Sequence, residues 1–304
     1  MKKTRIIKSL VIILTLLSLI SCFKLLVYGQ KPEKLAEGLE YEQGIASFKD
    51  DGIKLKYLIT KWNVKENPDN NLIFYFHGLG RSELEWVEQD GFGTIYHDLI
   101  MNNPQLKSFP VVSITLGATY LFLNNAPSPY NMDLEDFFIK KIIPYFREKL
   151  NCNGKIYLIG HSMGGYNALT LSLRHPEMFP VIAAISPYTA PISPFTDAFD
   201  KKGEELNMPK LQVAVLKGLL TNAYKTEENW DQYNPFKLVE KNKTFPYIIL
   251  STAKHDLPGF EWSITNFGNL LEKKGIPHYF CKTEGDHRSA CKNIFMHFLE
   301  EISK

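Results

Sequence analysis

The stretch KIYLIGHSMGGYNALTLSLRHP, Lys155 to Pro176, decides the fold. Its first six residues are apolar enough for a strand buried on both faces. Gly160-His161-Ser162-Met163-Gly164 then fits G-x-S-x-G, and the run from Gly165 reads as a helix. Small residues at Gly160 and Gly164 let strand and helix approach closely around a sharp turn. Such a turn lifts the Ser162 hydroxyl to the carboxyl edge of a sheet. The helix behind it supplies backbone N–H groups and a positive dipole end, both of use to a developing oxyanion. A strand–turn–helix elbow with an incidental serine would show the same motif, so the surroundings have to decide.

Working outward, NLIFYF, PVVSIT, VIAAIS, PYIILST and PHYFCK are further short apolar runs bounded by polar or turn residues. IKLKYLITKW alternates apolar and polar positions and predicts an edge or antiparallel strand. DLEDFFIKKIIPYFREKL opens on acids and closes on bases, which suits the helix dipole, and its Pro144 should kink it. FEWSITNFGNLLEKKG ends at Gly275 beyond two lysines, a helix stop. Strand and helix alternate, so the chain reads as α/β with a mostly parallel sheet and helices on both faces. From Pro187 to about Leu238 the rhythm breaks into prolines, charges and one helical segment, PKLQVAVLKGLL. Residues 187–238 are therefore expected to form a cap inserted in a single domain spanning 31–304.

The 304 residues carry 44% apolar and 22% charged side chains, ordinary for a folded protein. A net charge of +2 without a basic stripe argues against a nucleic-acid partner. Residues 1–30 differ from the rest. Lys2, Lys3, Arg5 and Lys8 precede LVIILTLLSLI, and Ser21-Cys22 follows, the parts of an export signal. Leu19-Ile20-Ser21-Cys22 resembles a bacterial lipoprotein box, with Cys22 as the acylated residue. The alternative is an uncleaved signal anchor, because FKLLVYG prolongs the run toward the length that spans about 30 Å of hydrocarbon. Either reading puts the remainder outside the cytoplasm, tethered to a membrane. Cys152, Cys281 and Cys291 lack metal-ligand spacing, and no metal or organic cofactor is implied. Cys281 and Cys291 are close enough in sequence to pair, or stand as two thiols.

A serine hydroxyl needs a base, and the base needs a carboxylate to orient it. In chain order the acid and then the histidine should follow the serine. Asp256 follows PYIILST, and His287 follows PHYFCK just before the final helix. His255 beside Asp256 reads as a bystander. Glu284 and Asp286 are rival acids, but they share a loop with His287. An oxyanion hole is the remaining demand. His77-Gly78-Leu79-Gly80-Arg81-Ser82 follows LIFYF, so the N–H of Leu79 is the expected donor, paired with that of Met163.

At these residues the chain resembles the esterase family of the α/β-hydrolase fold that includes the S-formylglutathione hydrolase and antigen 85 types. The resemblance runs from about Leu72 to Pro187, with thinner support to His287. DFFIKKIIPYFREKL followed by GHSMGGYNALTLSLRHPEMFPVIAAISP carries it most specifically. It implies an α/β-hydrolase fold, a small-molecule ester as substrate, and Ser162, Asp256 and His287 as nucleophile, acid and base. The segment between SIT and Met132 lacks the family's tryptophan-bearing loop. GATYLFLN and the 187–238 segment are expected to line the pocket and to favour a modest acyl or aryl ester. An acyltransferase using the same triad, or a surface binding protein without turnover, are the rival functions.

Overall fold

The computed structural model describes residues 34–62, 69–89, 91–124, 132–289 and 292–304. Cys22 and Cys291 lie outside the described residues, and with them the anchor and the Cys281–Cys291 pairing. Eight strands form one sheet in the order β1-β2-β4-β3-β5-β6-β7-β8. They are β1 (Glu42–Phe48), β2 (Ile53–Thr60), β3 (Leu72–Phe76), β4 (Val111–Thr115), β5 (Ile156–His161), β6 (Val181–Ile185), β7 (Tyr247–His255) and β8 (His278–Asp286). β2 runs antiparallel to both β1 and β4, and every pairing from β4 to β8 is parallel.

The apolar runs become strands because both of their faces are covered. Leu72, Phe74 and Phe76 of β3 join one core cluster, while Ile73 and Tyr75 join the other. On the first face lie α2 (Leu134–Phe137), α3 (Ile143–Leu150), α4 (Met163–Arg174) and α9 (Phe260–Lys273). On the second lie α1 (Phe92–Asn102) and α10 (Lys292–Ser303). Helices on both faces of a mostly parallel sheet are what the alternation predicts.

IKLKYLITKW takes the second of its two expected placements, antiparallel to both neighbours and not at the edge: β1 lies outside it, a strand the pattern hid because EQGIASF carries few apolar residues and leaves Ile45 58% exposed. Gly44 of β1 lies over the Tyr57 ring, where an added Cβ would fall 2.3 Å from the hydroxyl oxygen. At Pro144 the helical run is locally distorted rather than interrupted. A π-helical turn, Phe138–Ile142, joins α2 to α3, and the Ile143 N–H donates to the Phe138 carbonyl five residues back. The wider turn accommodates a ring that would otherwise crowd the preceding carbonyls.

Between β6 and β7 the chain forms α5 (Asp197–Glu205), α6 (Lys210–Tyr224), α7 (Glu227–Tyr233) and α8 (Pro235–Lys241). Phe199, Met208, Val213, Leu220, Tyr224 and Trp230 pack into a cluster separate from the two flanking the sheet. No helix among the described residues is long and apolar enough to cross a membrane.

Candidate active site

Ser162 occupies the turn between β5 and α4 with φ 53° and ψ −113°, a strained backbone for a residue with a Cβ. The surroundings fix that strain. A Cβ on Gly160 would sit 2.1 Å from the Gly164 carbonyl oxygen, and one on Gly164 would sit 1.9 Å from that of Phe76. Only glycine permits this approach of helix, strand and neighbouring strand end. The Ser162 N–H is held by the Ile185 carbonyl at 2.7 Å, which ties the elbow to the end of β6.

Asp256 and His287 stand directly after the ends of β7 and β8, the two strands beyond β6 in the sheet. His287 Nδ1 lies 2.5 Å from Asp256 Oδ1, and His287 Nε2 lies 2.9 Å from Ser162 Oγ. An ionised carboxylate only accepts, so Nδ1 carries the hydrogen and Nε2 is left to accept from the serine hydroxyl. The Asp256 side chain is fully buried. It accepts from the Leu257 N–H at 2.7 Å and the Thr252 hydroxyl at 3.0 Å. Burial pushes its carboxyl up, but the hydrogen bond and charge of His287 outweigh this and hold it below the usual range. Burial also lowers the His287 imidazole, only partly offset by Asp256, so the ring is poised neutral. The rival groups point elsewhere. Glu284 is exposed and pairs with Lys254, Asp286 accepts from Ser289 and the Arg288 N–H, and His255 is exposed.

In the Gly78–Arg81 loop three of four amides are committed. Gly78 donates to Glu85, Gly80 to the Ala118 carbonyl at 2.8 Å, and Arg81 to the Gly78 carbonyl at 3.1 Å. Among the described residues nothing accepts from the Leu79 N–H. Met163 opens α4, where the first N–H groups have no intrahelical acceptor. Both residues line the same cavity as Ser162.

That cavity measures about 500 Å³, within the range of small-molecule sites. Tyr120, Leu121 and Leu123 form part of its wall, as the GATYLFLN reading expects, and Leu216, Leu219 and Leu220 of α6 form another. Asn222 and Lys225 are among its few polar lining residues.

A family model described as "Putative esterase" matches residues 56–297. The chain belongs to that family. Carboxylic ester hydrolysis is accordingly its activity. The esterase is similar in fold to a ferulic acid esterase of Anaeromyces mucronatus, at 16% identity over 90% of this chain and 94% of that one, TM-score 0.59. The S-formylglutathione hydrolase of Agrobacterium tumefaciens matches at 16% identity over 89% and 95%, TM-score 0.58. A Staphylococcus aureus fluorophosphonate-binding serine hydrolase matches at 16% over 87% and 96%, TM-score 0.53.

Sequence reasoning passed over a buried polar group beneath the elbow. Glu85, His161, Arg81 and Glu88 connect there, although Glu85 and His161 are 76 positions apart. The only sequence signal near SELEW is its place just after the glycine loop.

Proposed function

We propose that the esterase works by double displacement through an acyl-enzyme on Ser162. Ser162 Oγ attacks the ester carbonyl carbon while His287 Nε2 takes its proton, and Asp256 holds the resulting imidazolium. The carbonyl oxygen, now negative, accepts hydrogen bonds from the N–H groups of Leu79 and Met163. Collapse expels the alcohol, protonated by His287. Water then enters by the same route in reverse and releases the acid. The observation that carries this reading is the unbroken Asp256–His287–Ser162 hydrogen-bonded chain opening on an apolar cavity. The apolar walls favour an aliphatic acyl or aryl group, with the α5–α8 segment acting as a cap over it.

The test is the pH dependence of kcat/KM on a 4-nitrophenyl ester. His287 must be neutral to accept the proton, and its pKa is depressed by burial. Activity is therefore present at higher pH and lost as pH falls through the lowered value, with a midpoint below about 6.5. An acid limb centred above that figure would contradict His287 as the base.

We further propose that the esterase is exported and tethered, with Cys22 as the lipid-bearing residue. The motivating feature is the charged–apolar–Cys22 order at the N-terminus. Cys22→Ser should leave an unprocessed precursor without diacylglyceryl modification in mass spectra of the N-terminal peptide. An intact Met1 and unmodified Cys22 in the wild type would instead indicate an uncleaved anchor.

A further inference from the structure

We infer that Glu85 and His161 are positioning residues which lock the oxyanion loop to the backbone of His287, fixing donors, nucleophile and base in one geometry. The inference rests on the triad reading above. Glu85 lies in the 3-10 turn Glu83–Val87 and is only 1% exposed. Its Oε2 accepts from the Gly78 N–H at 2.8 Å and the Tyr75 hydroxyl at 2.7 Å. Its Oε1 faces His161 Nδ1 at 3.1 Å and Arg81 Nε at 3.3 Å. His161 Nε2, on the other side of its ring, lies 3.1 Å from the His287 carbonyl oxygen.

The direction of each bond follows from what the groups can do. A carbonyl and an ionised carboxylate both only accept, so the two contacts together require His161 to donate from both ring nitrogens, as an imidazolium beside the Glu85 carboxylate. Burial raises the Glu85 carboxyl, yet the charge and hydrogen bond of His161 outweigh that and bring it to about 2, so it is ionised at working pH. The result is a chain from Gly78 through Glu85 and His161 to His287, passing the nucleophile by one peptide bond. A second link runs beside it. Arg81 pairs with Glu88 at 2.5 Å, and Glu88 pairs with Arg288, the neighbour of His287.

A carboxylate buried only to hold the fold together would have no reason to choose these partners. Gly78 adjoins Leu79, His161 adjoins Ser162, and the far end is the base itself. Burying a charge is costly, and a well-packed apolar group often serves stability as well. What the charged pair supplies instead is direction, with each donor aimed by a fixed acceptor. Displacing reacting groups by about 1 Å costs on the order of 10²-fold in rate.

The experiment compares Glu85→Gln, His161→Asn and the double variant on a 4-nitrophenyl ester, with Ser162→Ala as the reference for lost chemistry. Active serines are counted by fluorophosphonate titration, so kcat is expressed per competent site and a partly folded sample is not mistaken for a slow one. Glu85→Gln keeps the size and one acceptor but turns a donor toward His161 and Arg81. Each single variant should lose about tenfold to a hundredfold in kcat per site, with KM within about twofold. The double variant should lose no more than the worse single, because both substitutions break one chain. Wild-type kcat per site in either folded single variant, or losses that multiply in the double, would overturn the inference. If Glu85→Gln does not fold, His161→Asn applies the same criterion alone. Retained activity in Ser162→Ala would instead overturn the triad reading on which this one rests.

Discussion

Ser162→Ala should lower kcat for ester hydrolysis by on the order of 10⁶-fold. In the proposed mechanism the hydroxyl is the atom that forms the acyl bond, and among the described residues the adjoining His161 ring, committed to Glu85 and the His287 carbonyl, does not replace it. Folding should be almost unaffected, since the Ser162 side chain's bond is the one to His287 Nε2. The melting temperature is expected to stay within about 3 °C, the shift that about 1 kcal/mol gives in a chain of this size. Steady-state kinetics and a thermal melt on the same preparation check both halves. Substantial turnover in the folded variant would remove Ser162 from the mechanism.

Asp256→Asn should cost about 10⁴-fold in kcat. The amide presents a donor where the carboxylate accepted, so His287 Nδ1 can be held in the wrong tautomer, with its hydrogen on Nε2 facing Ser162. The loss should be far larger than that of Glu284→Gln, whose carboxylate is exposed and paired with Lys254. Parallel kinetics on the two variants decide the acid. A heavy loss in Glu284→Gln with little in Asp256→Asn would reassign it.

The parts of the fold that could be read from sequence are those where burial dictates composition. β3 to β7 sit inside the sheet under helices on both sides, so their residues must be apolar whichever way they point. β1 is an outer strand with one covered face and few apolar residues, and its signal drowns in ordinary surface chemistry. β8, the other edge, was legible through PHYFCK but runs on to Asp286, because TEGD still pairs with β7 while facing solvent. The hydrogen-bonded grouping of Ser162, His287 and Asp256 was legible because strand ends in this topology converge, so Asp256 and His287 are marked by position as much as by type. The Glu85–His161 bridge had no such marker. Its hydrogen bonds join a turn after β3 to the last residue of β5, and a pairing across 76 residues leaves no periodic trace. The helical segment between β6 and β7 was visible as broken rhythm, but its separate cluster around Tyr224 and Trp230 emerges only in three dimensions.

In the proposed mechanism Ser162 is a nucleophile activated by His287. The most direct measurement is reaction of the wild-type protein with a fluorophosphonate, followed by peptide mass spectrometry of the elbow. A stoichiometric phosphonyl adduct on Ser162, abolished in Ser162→Ala and greatly slowed in Asp256→Asn, is the predicted result. An unlabelled Ser162 in active protein, or an adduct on another residue whose loss also stops hydrolysis, would contradict it.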